Sequence, residues 1–197
     1  MKNILVCGFE PFGSEAINPS WEAVAGLSDV IGEYRIHKLL LPVVFSEAAE
    51  IAIKCAEELS VDDVLCIGQA GGRDAITPEQ VGINLRYAKI PDNKGNKPLD
   101  EEIIKGGPVA YFSTLPVRKM TEAITSSGIA SSVSYSAGAY VCNDLLYTLL
   151  NHFDGTKTRV GFIHIPYSHE QGKAPSMDIN DIKTGLTSAI KCLSFES

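Results

Sequence analysis

Val61-Asp62-Asp63-Val64-Leu65-Cys66-Ile67-Gly68, directly behind the helical pattern of residues 46–59, is the stretch that decides the fold. Val64, Leu65, Cys66 and Ile67 are continuous enough to predict a strand buried on both faces, the signature of an interior strand in a parallel sheet. In residues 46–59, Ala49, Ile53 and Ala56 recur at helical spacing, and Ser46 stands where an N-cap belongs. Working outward, residues 3–7 read as a short apolar strand, and residues 18–27 as a helix with Asn18 at the N-cap and Pro19 first inside it. Residues 34–41 form a strand stopped by Pro42, and residues 80–86 an irregular strand. Beyond them the pattern predicts helices over 116–127, 142–153 and 178–192, and strands over 131–135 and 159–164. This alternation predicts one domain spanning residues 1–197. Its expected fold class is α/β, a three-layer α/β/α arrangement around a mostly parallel twisted central sheet. Residues 88–107, rich in Pro, Asp, Asn, Lys and Gly, are long for a structureless connection and suggest a lid or a subunit contact.

The composition narrows the function. The 197 residues are 45% hydrophobic and 21% charged, with a formal net charge of −7. That balance, with no basic run, argues against holding a nucleic-acid backbone, and no apolar run is long enough to span a bilayer. The N-terminal run is short and leads into Gly8-Phe9-Glu10-Pro11, with no small-residue cleavage site, so a buried first strand is expected in place of a signal peptide. The five cysteines, an odd number with no C-x-x-C pair, fit reduced thiols in a cytoplasm and give no support to a metal or a dithiol redox site.

In a sheet of this kind, reactive groups gather where loops leave the carboxyl ends of the strands. Residues 8–13, 69–79, 137–142 and 164–167 are therefore expected along one edge. Within them, Ser136-Ala137-Gly138-Ala139-Tyr140-Val141-Cys142-Asn143-Asp144 places Cys142 where a small-residue turn gives way to a helix. A free thiol has a pKa of ~8.5 and is mostly protonated at neutral pH. Open amides and the helix dipole favour its thiolate, and the same amides suit the oxyanion of a tetrahedral intermediate. His164, at the end of an apolar strand, is the expected base, with His169 in the next loop as its rival. Glu79 is the expected partner that orients the imidazole, with Asp74 as runner-up. His37 and His152 read as structural. Phe9 and Phe12, in Gly8-Phe9-Glu10-Pro11-Phe12-Gly13, suit the wall of a small apolar pocket; the segment is neither a G-x-G-x-x-G nor a Walker loop.

Eight segments in order carry a family resemblance: Gly8-Phe9-Glu10-Pro11-Phe12-Gly13, Asn18-Pro19-Ser20, Gly71-Gly72-Arg73, Ile76-Thr77-Pro78-Glu79, Ile90-Pro91-Asp92-Asn93, Tyr111-Phe112-Ser113-Thr114-Leu115-Pro116, Tyr140-Val141-Cys142-Asn143 and Gly161-Phe162-Ile163-His164-Ile165-Pro166-Tyr167. Over nearly the whole chain they resemble the pyrrolidone-carboxyl peptidase (pyroglutamyl-peptidase I) family of cysteine peptidases. The resemblance implies a cytoplasmic, cofactor-free omega peptidase that removes N-terminal pyroglutamyl residues from peptides and assembles as a homotetramer. It maps the catalytic triad onto Glu79, Cys142 and His164, and the apolar pocket onto Phe9, Phe12, Ile90, Tyr140 and Val141. The oxyanion contact falls on the amide of Cys142, with Gln69 nearby.

The chain departs from the family pattern at three places. Tyr87-Ala88-Lys89 stands where Asp-Ala-Arg is expected, Ala139 where threonine is, and Ser168-His169 where proline precedes Glu170-Gln171. Lysine cannot reproduce the bidentate fork of arginine, which bears on rate and fine substrate preference more than on reaction type. A sensor for lactam ligands keeps the same pocket without turnover, and only Lys89 leans that way. A phosphorolytic nucleosidase, suggested by fold analogy alone, lacks a phosphate-binding cluster.

Overall fold

The computed structural model describes residues 1–195. The first half of the chain forms β1 (Lys2–Phe9), α1 (Pro19–Ala25), β2 (Val30–Ile31), β3 (Tyr34–Leu41), α2 (Glu47–Leu59), β4 (Asp63–Gln69), β5 (Thr77–Pro78) and β6 (Val81–Ile83). The second half forms β7 (Ala110–Phe112), α3 (Val117–Ser126), α4 (Val141–His152), β8 (Arg159–Ile165), β9 (Tyr167–Ser168), β10 (Ser176–Met177) and α5 (Ile179–Cys192). The main sheet has the order β2-β3-β1-β4-β8-β5. Its four inner strands are parallel, and short antiparallel strands close both edges.

Alternation along each strand feeds two cores, as the pleat requires. On β1, Ile4 and Val6 face one side while Leu5, Cys7 and Phe9 face the other. On β4, Leu65 and Ile67 divide from Val64 and Cys66 in the same way. The first core is covered by α1, α3 and α5 through Val24, Met120, Ile124, Leu186 and Ile190. The second is covered by α2 and α4 through Ala48, Ala52, Leu145 and Leu149. The expected three layers are thus present. β1 pairs with β3 on one side and β4 on the other, so the strand order reverses between β1 and β4. A crevice opens there, at the carboxyl ends of the two strands.

Local chemistry explains the element boundaries. Asn18 caps α1 by accepting from the Ser20 amide at 3.1 Å, and Pro19 takes the first helical position, where no N–H is needed. Ser46 precedes α2 without capping it through its side chain. Its hydroxyl instead accepts from Arg86 Nη2 at 2.8 Å, and its amide donates to Asp144 Oδ2 at 2.8 Å. The irregular strand expected over 80–86 shortens to β6, paired antiparallel with β7.

Residues 131–135 do not form the expected strand. They make only isolated bridges, Ser131 to Ile76 and Ser134 to Glu79. Pro78, having no N–H, limits the neighbouring ladder, and the Ser131 and Ser134 hydroxyls bond to backbone carbonyls of Ile76 and Ser136.

Residues 88–107 are a tied strap. The buried Asp92 carboxylate accepts from the amides of Phe45, Lys94 and Asn96 and from Asn96 Nδ2, at 2.8 to 3.0 Å. Asn93 Nδ2 reaches Glu10 Oε1 at 2.7 Å and the Pro11 carbonyl at 3.0 Å. The strap is thereby held against the loop that follows β1.

Candidate active site

The site begins at α4. Gly138, at φ +77°, turns the chain into an extended Tyr140, the N-cap residue, whose side chain makes no capping bond. The first-turn amides, including that of Cys142, therefore lack the usual side-chain acceptor. Asn143 and Asp144 in the same turn are fully buried and anchor the helix. Asn143 Oδ1 accepts from the Ile83 amide, and its Nδ2 donates to the carbonyls of Ile83 and Leu85, all at 2.9 to 3.0 Å. Asp144 pairs with Arg86 Nε at 2.5 Å.

Cys142 packs onto β4 because residue 68 is glycine. A Cβ added there would stand 3.0 Å from the Cys142 Sγ and 2.7 Å from Cζ of Phe162. The Phe162 ring lies against the His164 ring, with centroids 4.7 Å apart, and His164 sits beside Gly68 in the β4–β8 register. Thiol and imidazole thus share one neighbourhood at the carboxyl ends of two adjacent strands.

His164 Nδ1 is 2.7 Å from Glu79 Oε1. An ionised carboxylate only accepts, so Nδ1 carries the proton and Nε2 keeps its lone pair. The same Oε1 accepts from Arg73 Nη1 at 2.7 Å, while Arg73 also reaches the Thr77 hydroxyl and, at 3.1 Å, the Ser136 carbonyl. One guanidinium therefore ties the Glu79 segment to the loop that precedes α4.

The charges settle accordingly. Burial raises the Glu79 pKa, but His164, the Ser134 hydroxyl and Arg73 together hold it below the ordinary value. Burial is also the largest influence on His164 and lowers its pKa, against the upward pull of Glu79 and with help from Arg73. Burial, reinforced by the Glu79 charge, pushes the Cys142 thiol up to about 12, against Arg73 and its own amide. These influences oppose the thiolate expected from the helix start. Burial and a nearby carboxylate outweigh the open amides, and burial pushes both the thiol and the imidazole toward their neutral forms.

Beside the thiol, Phe9, Phe12, Asn18, Val43, Gln69, Tyr140 and Val141 line a small, mostly apolar pocket with Cys142. Phe12 and Tyr140 meet at a tilt with centroids 6.3 Å apart, and Phe45 meets Tyr140 edge-on at 5.3 Å. Of the residues expected in the pocket, Ile90 alone is displaced. It is half exposed and lines an adjoining depression with Phe12, Tyr87, Lys89, Ala139 and Tyr140. The strap carrying Ile90 is tied to the pocket wall, where the Tyr140 hydroxyl donates to the Pro91 carbonyl. Lys89 and Ala139, two departures from the family pattern, face this outer depression.

The alternatives separate cleanly. His169 is bonded to Ser176 Oγ on the surface, and Asp74 is exposed. His37 pairs with Asn3 and His152 with Glu57, as structural histidines do. The residue reading did not single out Asn18 and Val43 as pocket walls, nor Arg73 as the partner of Glu79. Arg73 was visible only as part of a motif, since its partner depends on how a loop folds back. No group of three or more His, Cys, Asp or Glu side chains suited to a metal gathers among the described residues. No helix among them is long and apolar enough to cross a membrane.

Comparison with known proteins identifies the family of the whole chain. Residues 2–196 match the family model described as pyroglutamyl peptidase. The pyrrolidone-carboxylate peptidase of Staphylococcus haemolyticus is 50% identical over 199 residues, spanning 98% of this chain and 94% of that protein. The pyrrolidone-carboxylate peptidase of Bacillus mycoides is 44% identical over 198 residues, spanning 97% and 92%. The crystal structure of Bacillus amyloliquefaciens pyroglutamyl peptidase I superposes with a TM-score of 0.96 at 42% identity, covering 100% of this chain and 98% of that one. By motif order, fold and these four likenesses together, the chain belongs to the pyroglutamyl peptidase family, the cysteine-type peptidases.

Proposed function

We propose that this protein removes N-terminal pyroglutamyl residues from peptides as a cysteine exopeptidase, with Cys142 as nucleophile, His164 as base and acid, and Glu79 as the group that orients it. The Cys142 sulfur attacks the scissile carbonyl carbon while His164 Nε2 takes the thiol proton. The amide of Cys142, in the uncapped first turn of α4, receives the oxyanion. The tetrahedral intermediate collapses to a thioester as the C–N bond breaks and His164 returns the proton to the leaving amine. Water, deprotonated by the same imidazole, then attacks the thioester. Pyroglutamate leaves and the thiol regains its proton. Glu79 stabilises the imidazolium at each stage, which matters more in a buried site than in water.

The observation that carries this reading is the Glu79–His164 bond near a half-buried thiol at an uncapped helix start. The pocket supports the substrate. A pyroglutamyl ring is compact and neutral, and Phe9, Phe12, Val43, Tyr140 and Val141 offer it apolar walls, with no carboxylate among the lining residues to attract a charged N-terminus. Five unbridged cysteines suit a reducing cytoplasm. Exposed Leu99, Val109 and Phe112 favour assembly, for which the homotetramer is our reading.

The test is hydrolysis of a fluorogenic pyroglutamyl amide, with a prolyl amide as control. Wild type should cleave only the first, and Cys142→Ala and His164→Ala should each lose at least about a thousandfold in kcat while keeping their melting temperature. Full activity in folded Cys142→Ala would overturn the assignment. Light scattering on a sizing column tests the tetramer directly, and a monomer at assay concentration would refute it.

A further inference from the structure

The pocket beside Cys142 contains a side-chain donor that the chain leaves unused, and a residue outside the pocket makes it a donor. Asn18 Oδ1 accepts from the Ser20 amide and hydroxyl, and its Nδ2, already committed to the Glu10 carbonyl, is fixed by that bond. The Tyr140 hydroxyl donates to Pro91. Gln69, at the end of β4, remains. Its Oε1 accepts from Gln171 Nε2 at 2.9 Å, and its Nε2 makes no hydrogen bond among the described residues.

The polarity of that contact follows from groups that have no choice. Gln171 Oε1 faces the Ser168 backbone N–H at 3.0 Å, and an N–H only donates. Gln171 Nε2 faces Glu15 Oε2 at 3.2 Å, and a carboxylate only accepts. Glu15 is itself held by Lys173. Both ends of Gln171 therefore agree on one orientation. The atom of Gln69 that meets Gln171 Nε2 must be its oxygen, which leaves the amide nitrogen of this pocket-lining residue uncommitted.

We propose that Gln171 is a positioning residue for substrate recognition: it locks Gln69 so that Nε2 donates to the lactam carbonyl oxygen of a bound pyroglutamyl group. This rests on the pyroglutamyl reading of the pocket. The lock also adds discrimination, because a prolyl N-terminus has no carbonyl oxygen there and presents a cationic nitrogen to a donor.

Gln171→Glu tests it by keeping the side chain's length and the Ser168 bond while replacing the donor with an acceptor, which also sets a second carboxylate against Glu15. Gln69 then turns its NH2 toward the new carboxylate and its oxygen toward the pocket. Binding is read from protection of Cys142 against iodoacetamide by 2-pyrrolidone, and turnover from kcat and KM on pyroglutamyl and prolyl amides. Gln171→Glu should raise the 2-pyrrolidone Kd and the pyroglutamyl KM by about tenfold or more, leave kcat within about threefold, and lower the pyroglutamyl-over-prolyl preference by about tenfold. Gln171→Met, which frees Gln69 without reversing it, should raise Kd and KM by about threefold, and it carries the test if Gln171→Glu does not fold.

A merely structural role would lower the melting temperature and depress kcat on both substrates in parallel, with the preference intact; that result overturns the inference. Wild type that binds 2-pyrrolidone, loses it in Gln171→Glu and yet cleaves no pyroglutamyl amide would sink the peptidase reading and uphold the lock. Active wild type with unchanged Kd and KM in both variants would do the reverse. Wild type that neither binds nor cleaves would refute both.

Discussion

Cys142 sits where a helix start favours an anion, yet burial and the Glu79 carboxylate push its thiol up to about 12. Its partner His164 is pulled the other way, below its ordinary value, chiefly by burial. The consequence is a nucleophile activated during attack, when the proton moves to an imidazole already backed by a carboxylate. The pH dependence of iodoacetamide alkylation reads this directly. The rate should rise through the lowered pKa of His164, below its ordinary ~6.5, and show no step near the ~8.5 of a free thiol. A dominant step between pH 8 and 9 would show an ordinary thiol acting without its base. Arg73 belongs to the same balance, since its guanidinium shares Glu79 Oε1 with the imidazole.

At the scale of elements, α4 places the nucleophile because its first turn is bonded into the rest of the chain. Asn143 bonds to the Ile83 amide and to the carbonyls of Ile83 and Leu85, on the edge of β6 that faces away from β7. Asn143→Ala leaves the Ile83 amide and the Leu85 carbonyl without these partners in a half-buried position, while the Ile83 carbonyl keeps the Leu85 amide. The expected loss is about 3 kcal/mol in urea unfolding, from the range for buried polar groups left unpaired. A loss below about 1 kcal/mol would mean that water or a shifted chain replaces these bonds. Asp144 does similar work at the other side of the turn, joining Arg86 to the start of α2. The helix is thus positioned by polar staples at its catalytic end and by Leu145 and Leu149 in the core further along.

For the whole molecule, the perturbed groups imply a direction for acid stability. His164, Glu79 and Asp92 all have folded pKa values below their ordinary ones. For each, the unfolded chain binds more protons over the interval between the two values, so the stability it contributes is present above the unfolded pKa and is lost as pH falls through the folded one. His164 acts first, below about 6.5, and the two carboxylates below about 4. Asp144, raised by burial against Arg86 and the Ser46 amide, works in the opposite sense and offsets part of the decline. At Asp92, burial alone would raise the carboxyl, but bonds from Asn96, Phe45 and Lys94 prevail. Asp92→Asn should therefore destabilise the protein at pH 7, with the difference from wild type shrinking as pH approaches 3 in urea titrations. A difference independent of pH would detach the strap over residues 88–107 from this carboxylate.

What the sequence by itself determined is what short-range rules govern. The apolar run around Cys66 specified an interior strand, Asn18-Pro19 the start of α1, Pro42 the stop after β3, and the small-residue turn before Cys142 the start of α4. Motif order identified the family, and Glu79, Cys142 and His164 were each legible as chemistry-bearing residues at the ends of elements. The tertiary structure decided how such residues meet. Glu79 and His164 are 85 positions apart, and their 2.7 Å contact exists because β5 runs antiparallel to β8, with Thr77 opposite His164. Arg73 on Glu79, Asn143 on β6 and Gln171 on Gln69 likewise depend on loops folding back across the sheet edge. The thiol's protonation followed the same division. The helix start was visible in the local sequence, whereas burial and the nearby carboxylate come from distant chain and, in a low-dielectric interior, prevail.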